Sequence, residues 1–473
     1  MRIDEVLAHI PRGADLQAAV QASGAPAWIV GGSLRDLLRG DTPADIDLAT
    51  PASETLARSL AELTGGSLVP LDLERGIWRV AVRDAPYFDC CQLRAADIAS
   101  DLQGRDFTFN ALALRVTDDG AGGLFDPFHG LDDLHSGLLR MVSPQTFTDD
   151  PARIMRAFRF CAEHHVTIEA NTWQALCATV TCLPRVAAER ILAEWWKLCA
   201  GPFAAAAITR MDAAGVLGLL LPEVEATRGV TQNLYHHLDV WEHALLATTV
   251  MHKMLRAPEE AFGVLTPAFQ PLCMDAHRAA RLVYLALIHD IGKPDTRTVE
   301  GDRVHFYGHE MRGAELATQI ARRLRMSRAD LHASACIIRH HLRPLFLLTA
   351  QRRNELSPRA MLRFFVQTGE YALEVMALAM ADKAAACGPA ADADIREQLH
   401  LLYGRLLAFY ATRYRPALEL PFLTGHDLIQ ELRLPPGPNI GRLLHQAREL
   451  QILGKLTSRA EALHWAATRG RGE

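Results

Sequence analysis

Long apolar segments are missing from this 473-residue chain. No run reaches the ~18 residues that a membrane-spanning helix needs, so no membrane partner is expected. The first residues, MRIDEVLAHIPRGADL, lack the apolar core and the small-residue cleavage site of a signal peptide. Nine cysteines are scattered without a C-x-x-C pair, which excludes a disulfide framework and predicts a reducing, cytoplasmic location.

Lysine is also scarce, since only five of the 50 basic residues are Lys. The net charge of -5 argues against a protein that binds nucleic acids unspecifically over its whole surface. The planar guanidinium of arginine binds phosphate in a bidentate manner, which the lysine ammonium cannot do. The excess of arginine over lysine can equally reflect genome composition. Local clusters are more informative than the total, and two are present, at 153–159 and at 322–328.

The sequence pattern changes at about residue 138. Before it, short apolar segments predict strands at Ala27–Val30, Asp45–Leu48, Ile77–Val82 and Phe88–Leu93, and within Phe107–Val116. A helix with Gly32 or Ser33 at its N-cap is predicted between the first two strands. After residue 138, helical periodicity dominates to the end of the chain. The length exceeds that of one compact core, so two to four domains are expected.

Residues 31–47 read GGSLRDLLRGDTPADID and combine three features. Gly31 and Gly32 let backbone N–H groups approach a phosphate at the start of a helix, whose dipole favours anions, and Arg35 follows one turn later. Asp45 and Asp47 are two apart on a predicted strand, so their carboxylates share one face. Such a pair can hold two Mg²⁺ ions for phosphoryl transfer. Either motif alone is weak evidence, but the combination predicts a metal-dependent nucleotide site.

Asp89 is the candidate for a third acid at this site. It lies in a predicted apolar strand, where a carboxylate is costly unless it meets a metal ion or a base. The alternative is an edge-strand residue that faces water. The predicted catalytic residues are therefore Asp45, Asp47 and Asp89, with Asp45 and Asp47 as the Mg²⁺ ligands.

The pattern GGxxRD…DxD resembles the class II tRNA nucleotidyltransferase family, which includes bacterial poly(A) polymerases. Residues 105–111, RDFTFNA, resemble the family's RRDFTxNA block, except that Gly104 stands in the place of the first Arg. The resemblance implies that the second Arg and the Asp of this block help to hold the nucleotide. The predicted nucleotide-binding residues in the head are Gly31, Gly32, Arg35, Arg105, Asp106 and Asn110.

Residues 149–160, DDPARIMRAFRF, resemble the family's EDPxRxxRAxRF block. In the family, the acid and the first Arg of this block read the Watson–Crick edge of the incoming base. Asp150, Arg153 and Arg156 are therefore expected to face the base, and Arg159 extends the same helical ridge because these arginines recur every three residues. Asp149 stands where the family usually has Glu, which leaves the details of base selection open.

Two further positions bear on which nucleotides are added. Glu189, in AERILAEWWKL, resembles the family's ERxxxE neck helix and favours tRNA end maturation over poly(A) synthesis. Only ten residues separate Arg94 from Arg105. CCA-adding members usually have a longer mobile loop here, needed for the final A, whereas CC-adding members resemble this sequence in lacking it. The sequence therefore predicts that addition of the terminal A is poor or absent.

Four residues further along follow an H…HD…D order: His243, His289, Asp290 and Asp382. Imidazole nitrogens and carboxylates together suit a transition metal or Mg²⁺, and His309, His340 and His341 are available for a second ion. The set resembles the HD phosphohydrolase domain that is fused to some tRNA nucleotidyltransferases. The resemblance implies either hydrolysis of 2′,3′-cyclic phosphates or phosphomonoesters, or a domain that only binds tRNA.

The predicted fold is an α/β nucleotidyltransferase head followed by an all-helical neck, an HD-type body and a helical tail. The predicted boundaries are 1–138 for the head, 139–200 for the base-recognising neck, 201–390 for the body and 391–473 for a tRNA-binding tail. The predicted function is addition of C and/or A from CTP and ATP to the tRNA acceptor arm, with Mg²⁺ and a second divalent transition metal as cofactors. The alternatives are a poly(A) polymerase and an HD phosphohydrolase whose head only binds RNA. The oligomeric state is left open.

Overall fold

The structure is a computed structural model that describes residues 6–117, 120–233, 236–301, 303–386, 388, 392 and 394–470. The chain forms two compact units. The first comprises Met1–Ala187 with Ala213–Val216, and the second comprises Ala188–Asp212 with Leu217–Glu473. The predicted boundary at residues 390 and 391 lies outside the described residues. No helix within the described ranges is long and apolar enough to cross a membrane.

The first unit is built on a seven-stranded sheet in the order β3-β4-β5-β2-β1-β6-β7. The strands are β1 Ala27–Val30, β2 Asp45–Thr50, β3 Ser67–Asp72, β4 Ile77–Ala81, β5 Tyr87–Gln92, β6 Ala113–Thr117 and β7 Gly120–Phe125. Only β2 and β5 pair in parallel, and the other neighbours pair antiparallel. The helices among them are α1 Gly13–Ser23, α2 Gly31–Arg39, α3 Ser53–Thr64, α4 Ile98–Gln103 and α5 Gly130–Ser136.

The two faces of this sheet differ in what they bury. Ile46 and Leu48 belong to the main core, together with apolar side chains of α1, α2 and α3. Ala49 belongs to a smaller cluster that also contains Val30. Because side chains alternate between faces along a strand, Asp45 and Asp47 lie on the face of Ala49 and away from the main core. The core therefore orients both acids toward the same side of the sheet.

The rest of the first unit is helical, apart from one short parallel pair of strands. Its elements are β8 Leu138–Leu139, α6 Thr146–Asp149, α7 Ala152–His164, β9 Thr167–Ile168 and α8 Ala170–Thr179. The Phe160 ring on α7 packs edge-on against Phe107 and Phe109, at centroid distances of 5.7 and 5.4 Å. Edge-to-face aromatic packing adds to the stabilisation from burial. This contact fixes α7 beside the segment that precedes β6.

From residue 188 onward the chain is almost entirely helical. Its helices are α9 Ala188–Ala200, α10 Ala204–Ala213, α11 Val216–Leu220, α12 Val240–Arg256, α13 Pro258–Phe262, α14 Thr266–Met274, α15 Ala276–Ile288, α16 His309–Arg323, α17 Arg328–His340, α18 Arg343–Arg352, α19 Pro358–Thr368, α20 Ala372–Ala385, α21 Ile395–Phe409, α22 Arg415–Glu419, α23 Pro438–Ile452 and α24 Arg459–Gly470. One short antiparallel pair, β10 Thr298–Glu300 and β11 Arg303–His305, precedes α16.

Helix α15 is the centre of the second unit. Its residues from Ala280 to Ile288 are all buried, which is typical of a helix surrounded by other helices. It contacts α9, α12, α17 and α20. His289 follows directly at its C-terminus, so the packing brings that residue close to His243 on α12 and Asp382 on α20.

The predicted fold class is confirmed, but one local prediction is wrong. Helix α2 begins at Gly31, with Val30 at its N-cap and no side-chain capping bond. Ser33 is not a cap, because its hydroxyl donates to the Val30 carbonyl at 3.0 Å and accepts from the Asp47 amide at 2.9 Å. The hydroxyl therefore connects α2 to β2. The sequence pattern also gave no indication of β3 or β7.

Candidate catalytic head site and metal centre

Asp47 on β2 lies beside the glycine turn, and Asp45 lies on the same face of the strand. The register of β2 and β5 sets Asp47 directly opposite Asp89, so three carboxylates share one region of the sheet. The side chain of Asp45 is 47% exposed, whereas Asp47 is more enclosed. Burial, followed by the charges of Asp45 and Asp89, raises the pKa of Asp47 to about 6. Such concentrated negative charge suits a divalent cation.

Asp89 forms a bidentate ion pair with an arginine side chain. Both of its oxygens accept from Arg79, with Nε to Oδ1 and Nη2 to Oδ2 each at 2.7 Å. Arg79 Nη2 also lies 3.9 Å from Asp45 Oδ2. Strand β5 is interior to the sheet and Asp89 is only 8% exposed, so the water-facing alternative is excluded. The role of Asp89 as a third metal ligand stays a prediction.

Gly31 is required by geometry at the start of α2. Its φ is +68°, in the left-handed region that favours glycine. A Cβ atom here would lie 3.0 Å from Arg105 Nη1 and 3.4 Å from Asp47 Oδ2. A Cβ on Gly32 would meet only ordinary contacts with Arg35, the nearest at 3.6 Å. The absence of a side chain at Gly31 therefore lets Arg105 and Asp47 approach the turn closely.

Replacing Gly31 with Ala is expected to lower nucleotide addition at least ten-fold, because the new methyl group displaces Arg105 and Asp47. The left-handed backbone adds a stability loss of about 1 kcal/mol. Gly40→Ala is the matched control, since Gly40 ends the same helix with φ +87° and has no atom within 4 Å of the added Cβ. Thermal unfolding and initial rates measure both effects. Equal loss of activity in the two variants would contradict this reading of Gly31.

A chain of hydrogen bonds joins the predicted nucleotide-binding motifs of the first unit. Arg35 Nη1 donates to Asn110 Oδ1 at 2.9 Å, and Asn110 Nδ2 donates to Asp106 Oδ1 at 3.0 Å. Asp106 Oδ2 accepts from Arg156 Nε at 2.7 Å. Burial opposes ionisation of Asp106, but the charge of Arg156 and the hydrogen bonds of Asn110 and Arg156 leave its pKa below the usual value. Asp106 therefore orients Asn110 and Arg156.

Two arginines of α7 approach the segment around Arg105. Arg153 Nη2 donates to the Gly104 carbonyl at 2.5 Å, and Arg156 reaches Asp106. Arg159 donates to Glu163 at 2.5 Å, and its guanidinium lies 4.1 Å from the centroid of the Phe160 ring. The Arg156 guanidinium lies 5.5 Å from the same centroid. The nucleotide-binding role of Arg159 stays a prediction.

Asp150 lies between α6 and α7. Its Oδ1 accepts from the Ala152 amide at 3.2 Å, which is a local contact at the start of α7. Asp150 therefore lies three residues before Arg153, at the N-terminal end of α7.

Two residues at the head site were missed by the sequence analysis. Arg79 forms an ion pair with Asp89. The pairing of β4 with β5 would have indicated this contact, because it places Arg79 directly opposite Asp89. Asp101 on α4 accepts from Arg105 Nη2 at 3.0 Å. The pair has an i, i+4 spacing, although Arg105 lies two residues beyond the end of α4.

The second unit contains a compact cluster of histidines and acids. Two groups have ligand atoms within 4.8 Å of one another: His243, His289 and Asp382, and Asp290, His309 and His341. Asp290 connects them, because its Oδ2 lies 3.1 Å from His289 Nε2 and its Oδ1 lies 3.3 Å from His309 Nε2. Among the described residues, His340 belongs to neither group, whereas the adjacent His341 belongs to the second, so the structure favours His341 over His340 as a ligand.

The histidine rings are oriented for ligation. His289, His309 and His341 each place Nδ1 within 2.6–2.9 Å of a backbone carbonyl oxygen three residues earlier. A carbonyl only accepts, so Nδ1 carries the hydrogen and Nε2 of a neutral ring offers a lone pair. Among the described residues, His341 Nε2 is buried without a hydrogen-bond partner. The Nε2 atoms of His289 and His309 are buried and face the Asp290 carboxylate. These inward-facing nitrogen atoms fit divalent cations.

The charges around Asp290 are strongly coupled. Burial alone would raise its pKa, but His289 and Lys293 hold it well below the usual value. Lys293 Nζ lies 2.6 Å from Asp290 Oδ2 and donates to Gln232 Oε1 at 2.6 Å. Despite burial, Asp290 and Asp382 raise the pKa of His289 to about 10, so a cation that binds this imidazole displaces a proton. Lys293 and Gln232 were missed by the sequence analysis.

The sheet with its paired acids, and the helical HD centre, define the class of protein as a nucleotidyltransferase joined to an HD domain. Residues 27–140 match the family described as Poly A polymerase head domain. Residues 165–227 match the family described as Probable RNA and SrmB-binding site of polymerase A, and residues 240–386 match the HD domain.

Similar proteins extend along most of the chain. An A-adding tRNA nucleotidyltransferase of Deinococcus radiodurans is 37% identical over 443 residues, covering 92% of this chain and 94% of the relative. A CC-adding tRNA nucleotidyltransferase of Thermus thermophilus is 31% identical over 457 residues and covers 94% of each. The chain belongs to the tRNA nucleotidyltransferase family, as the sequence motifs predicted.

Solved structures show the same fold at lower identity. The Thermotoga maritima CCA-adding enzyme complexed with tRNA superposes with a TM-score of 0.62 at 19% identity, over 99% of this chain and 98% of that one. A complex of a CCA-adding enzyme with CTP gives a TM-score of 0.64 at 19% identity, over 100% and 99% of the two chains.

Proposed function

We propose that this nucleotidyltransferase adds C and/or A to the 3′ end of tRNA, with Mg²⁺ held by Asp45 and Asp47. The observation that carries the proposal is the position of both acids on one face of β2, with Asp47 beside the Gly31 turn and Arg105. Bound divalent cations activate the attacking hydroxyl and neutralise the charge that develops on the triphosphate. The proposed location is the cytoplasm, where tRNA and nucleoside triphosphates are found.

The chain's own residues supply binding and orientation. Arg105, with its position fixed by Asp101, is proposed to hold the triphosphate next to Gly31 and Gly32. Arg35, through Asn110 and Asp106, aligns Arg156 with the same site. Asp150 and Arg153 are proposed to read the base, because a carboxylate accepts from an exocyclic amine and a guanidinium donates to ring acceptors. The protein then selects the nucleotide without a template strand.

The segment between Arg94 and Arg105 supports CC addition. It contains α4, a six-residue helix whose N-cap Asp97 accepts from the Ser100 amide at 2.8 Å. Asp101 on this helix accepts from both Arg105 and the Arg94 amide. Both ends of the segment are thus tied to one carboxylate, and little chain is left for a mobile loop. This supports poor addition of the terminal A.

The second candidate is A addition, which the likeness to an A-adding relative over 94% of its length favours. The test uses two tRNA substrates, one without the CCA end and one that ends in CC, each with CTP alone, with ATP alone and with both together. CC addition predicts extension only of the first tRNA and only with CTP. A addition predicts extension only of the second tRNA with ATP. Efficient synthesis of a full CCA end from both nucleotides would contradict both single-specificity proposals.

The same assay separates the rival chemistries. A poly(A) polymerase uses ATP repeatedly and ignores CTP. A head that only binds RNA extends neither substrate. The four-part division at 1–138, 139–200, 201–390 and 391–473 is likewise proposed. The matches at 27–140 and 240–386 support its first and third parts, whereas the match at 165–227 crosses the proposed boundary at 200.

We further propose that the HD centre is a metal-dependent phosphohydrolase that takes a second kind of divalent cation. The support is the pair of adjacent ligand groups, which Asp290 of the second group connects through its contact with His289 of the first, with Lys293 at 2.6 Å as a positive charge. Nitrogen-rich ligand sets of this kind suit transition metals better than Mg²⁺. The chain's part is to hold the phosphate near Lys293 and to exclude bulk water.

A further inference from the structure

The ring of Phe160 on α7 is surrounded by positively charged side chains. The guanidinium carbon atoms of Arg35, Arg156 and Arg159 lie 5.2, 5.5 and 4.1 Å from its centroid. A guanidinium within about 6 Å of a ring centroid is attracted by the negative charge of the π face, most strongly where water is excluded. Phe160 is only 1% exposed and Arg35 only 7%, so the contact between them is a desolvated one.

The ring is the neighbour that these three arginines have in common. Their carboxylate partners differ: Asp36 for Arg35, Asp106 for Arg156 and Glu163 for Arg159. A carboxylate fixes one edge of a guanidinium, and a ring face fixes the plane of the group. Both contacts together leave each guanidinium one orientation.

Phe160 also connects the two ends of a hydrogen-bond chain at the nucleotide site. The chain through Asn110 and Asp106 begins at Arg35 and ends at Arg156. Arg35 belongs to α2, which begins at the glycine turn, whereas Arg156 and Phe160 belong to α7. Since the ring contacts both ends of the chain, it joins the two helices that carry these predicted nucleotide-binding residues.

The imidazole of His164 stacks on the same ring without adding charge. The two centroids are 5.9 Å apart and the planes differ by 19°. Burial, followed by the charges of three arginines that include Arg35 and Arg159, lowers the pKa of His164 to about 3. His164 is therefore neutral at physiological pH, and the positive charge beside the ring belongs to the arginines.

We infer that Phe160 is a positioning residue for nucleotide addition, whose π face holds Arg35 and Arg156 in the orientation in which the triphosphate binds. The inference rests on the proposed nucleotide addition. Because Phe160 is buried, it acts through the arginines and not on the nucleotide itself. A guanidinium that is already aligned loses less conformational freedom when a phosphate binds, so the ring favours binding.

The first test is Phe160→Leu, which keeps an apolar side chain but removes the π face. The KM for the preferred triphosphate is expected to rise about ten-fold, as the loss of desolvated cation–π contacts predicts. The kcat is expected to stay within about three-fold of the native value, because the metal-binding acids Asp45 and Asp47 are unchanged. Single-nucleotide extension of tRNA measures both constants.

Phe158→Leu is the matched control. Phe158 lies on the same helix, is fully buried and packs edge-on against Trp173, with the centroids 6.4 Å apart. In the part of the chain that the structure describes, no cation lies over its ring. Phe158→Leu is expected to lower the melting temperature as much as Phe160→Leu, because both remove a buried ring, and to leave KM unchanged.

A second test changes the charge of the ring face and leaves its shape almost unaltered. Phenylalanine with one, two or three fluorine atoms is incorporated at position 160, because each fluorine withdraws electron density from the π face. The Kd of a fluorescent N-methylanthraniloyl ATP or CTP for the full chain, with Mg²⁺ and without tRNA, is expected to rise with each fluorine, to about five-fold with three. The same series at position 158 is expected to leave Kd unchanged.

Measuring binding without tRNA separates this inference from nucleotide addition itself. If the native chain binds the fluorescent nucleotides but extends no tRNA, the proposed addition fails, and a graded rise in Kd at position 160 still supports the positioning role. A constant Kd across the series at position 160, or an equal rise at position 158, would overturn that role. A native chain that binds neither nucleotide would overturn both proposals.

Discussion

Replacing Asp45 or Asp47 with Asn is expected to lower nucleotide addition roughly 10³-fold, because metal ions supply several kcal/mol of transition-state charge stabilisation. Asn removes the charge that holds a cation but preserves the shape of the side chain. Three carboxylates repel one another at this site, so the loss of one charge is not expected to unfold the head. Single-nucleotide extension with the preferred triphosphate measures the effect.

Asp84→Asn is the matched control for these variants. Asp84 lies in the same head, and its side chain is 92% exposed and far from the sheet interior. Its replacement is expected to leave extension within two-fold of the native rate. Undiminished extension by the Asp45→Asn, Asp47→Asn double variant would refute the proposed catalytic site. Thermal unfolding of each variant checks that a lost activity is not a lost fold.

Replacing His341 with Ala is expected to remove one of two bound cations from the HD centre and to abolish phosphoester hydrolysis while sparing nucleotide addition. His341 belongs to only one of the two ligand groups, whereas Asp290 connects both. Losing a direct ligand is expected to weaken metal binding by more than the roughly 10–100-fold that is typical of losing a supporting residue. Elemental analysis after Mn²⁺ or Co²⁺ loading measures the stoichiometry.

His340→Ala is the control for this experiment. His340 is the adjacent residue and is of the same type, but it lies outside both ligand groups among the described residues. It is expected to retain two cations and full hydrolysis. Two bound cations in His341→Ala, or the loss of one in His340→Ala, would contradict the assignment. If nucleotide addition fell together with hydrolysis, the centre would instead stabilise the second unit.

The double replacement His289→Ala, Asp290→Ala is expected to affect both the hydrolysis and the stability of the second unit. Both side chains are buried, and Asp290 is paired with Lys293. Removing one member of a buried charge pair leaves the other uncompensated and costs about 3–5 kcal/mol. This variant is therefore expected to lose hydrolysis, and a fall in melting temperature is expected with it. The His341→Ala variant is the cleaner test because it leaves the Asp290–Lys293 pair intact.

The sequence by itself determined the features that depend on short spacing. A two-residue interval on a strand fixes a common face, so Asp45 and Asp47 could be paired without a structure. The order of motifs identified the family, the head and the HD residues His243, His289, Asp290 and Asp382. The N-cap of α2 was predicted wrongly because Ser33, a residue type that favours caps, uses its hydroxyl to connect α2 to β2.

Only the tertiary structure decided which charges meet. Arg79 reaches Asp89 because β4 pairs with β5, and Arg156 reaches Asp106, fifty positions earlier, because α7 packs beside the segment before β6. Likewise, His341 and not His340 enters the HD centre, since the direction of a side chain at a helix end depends on what the helix packs against. A sequence records local periodicity, but distant partners are selected by the burial of apolar faces, which brings some charges together and keeps others apart.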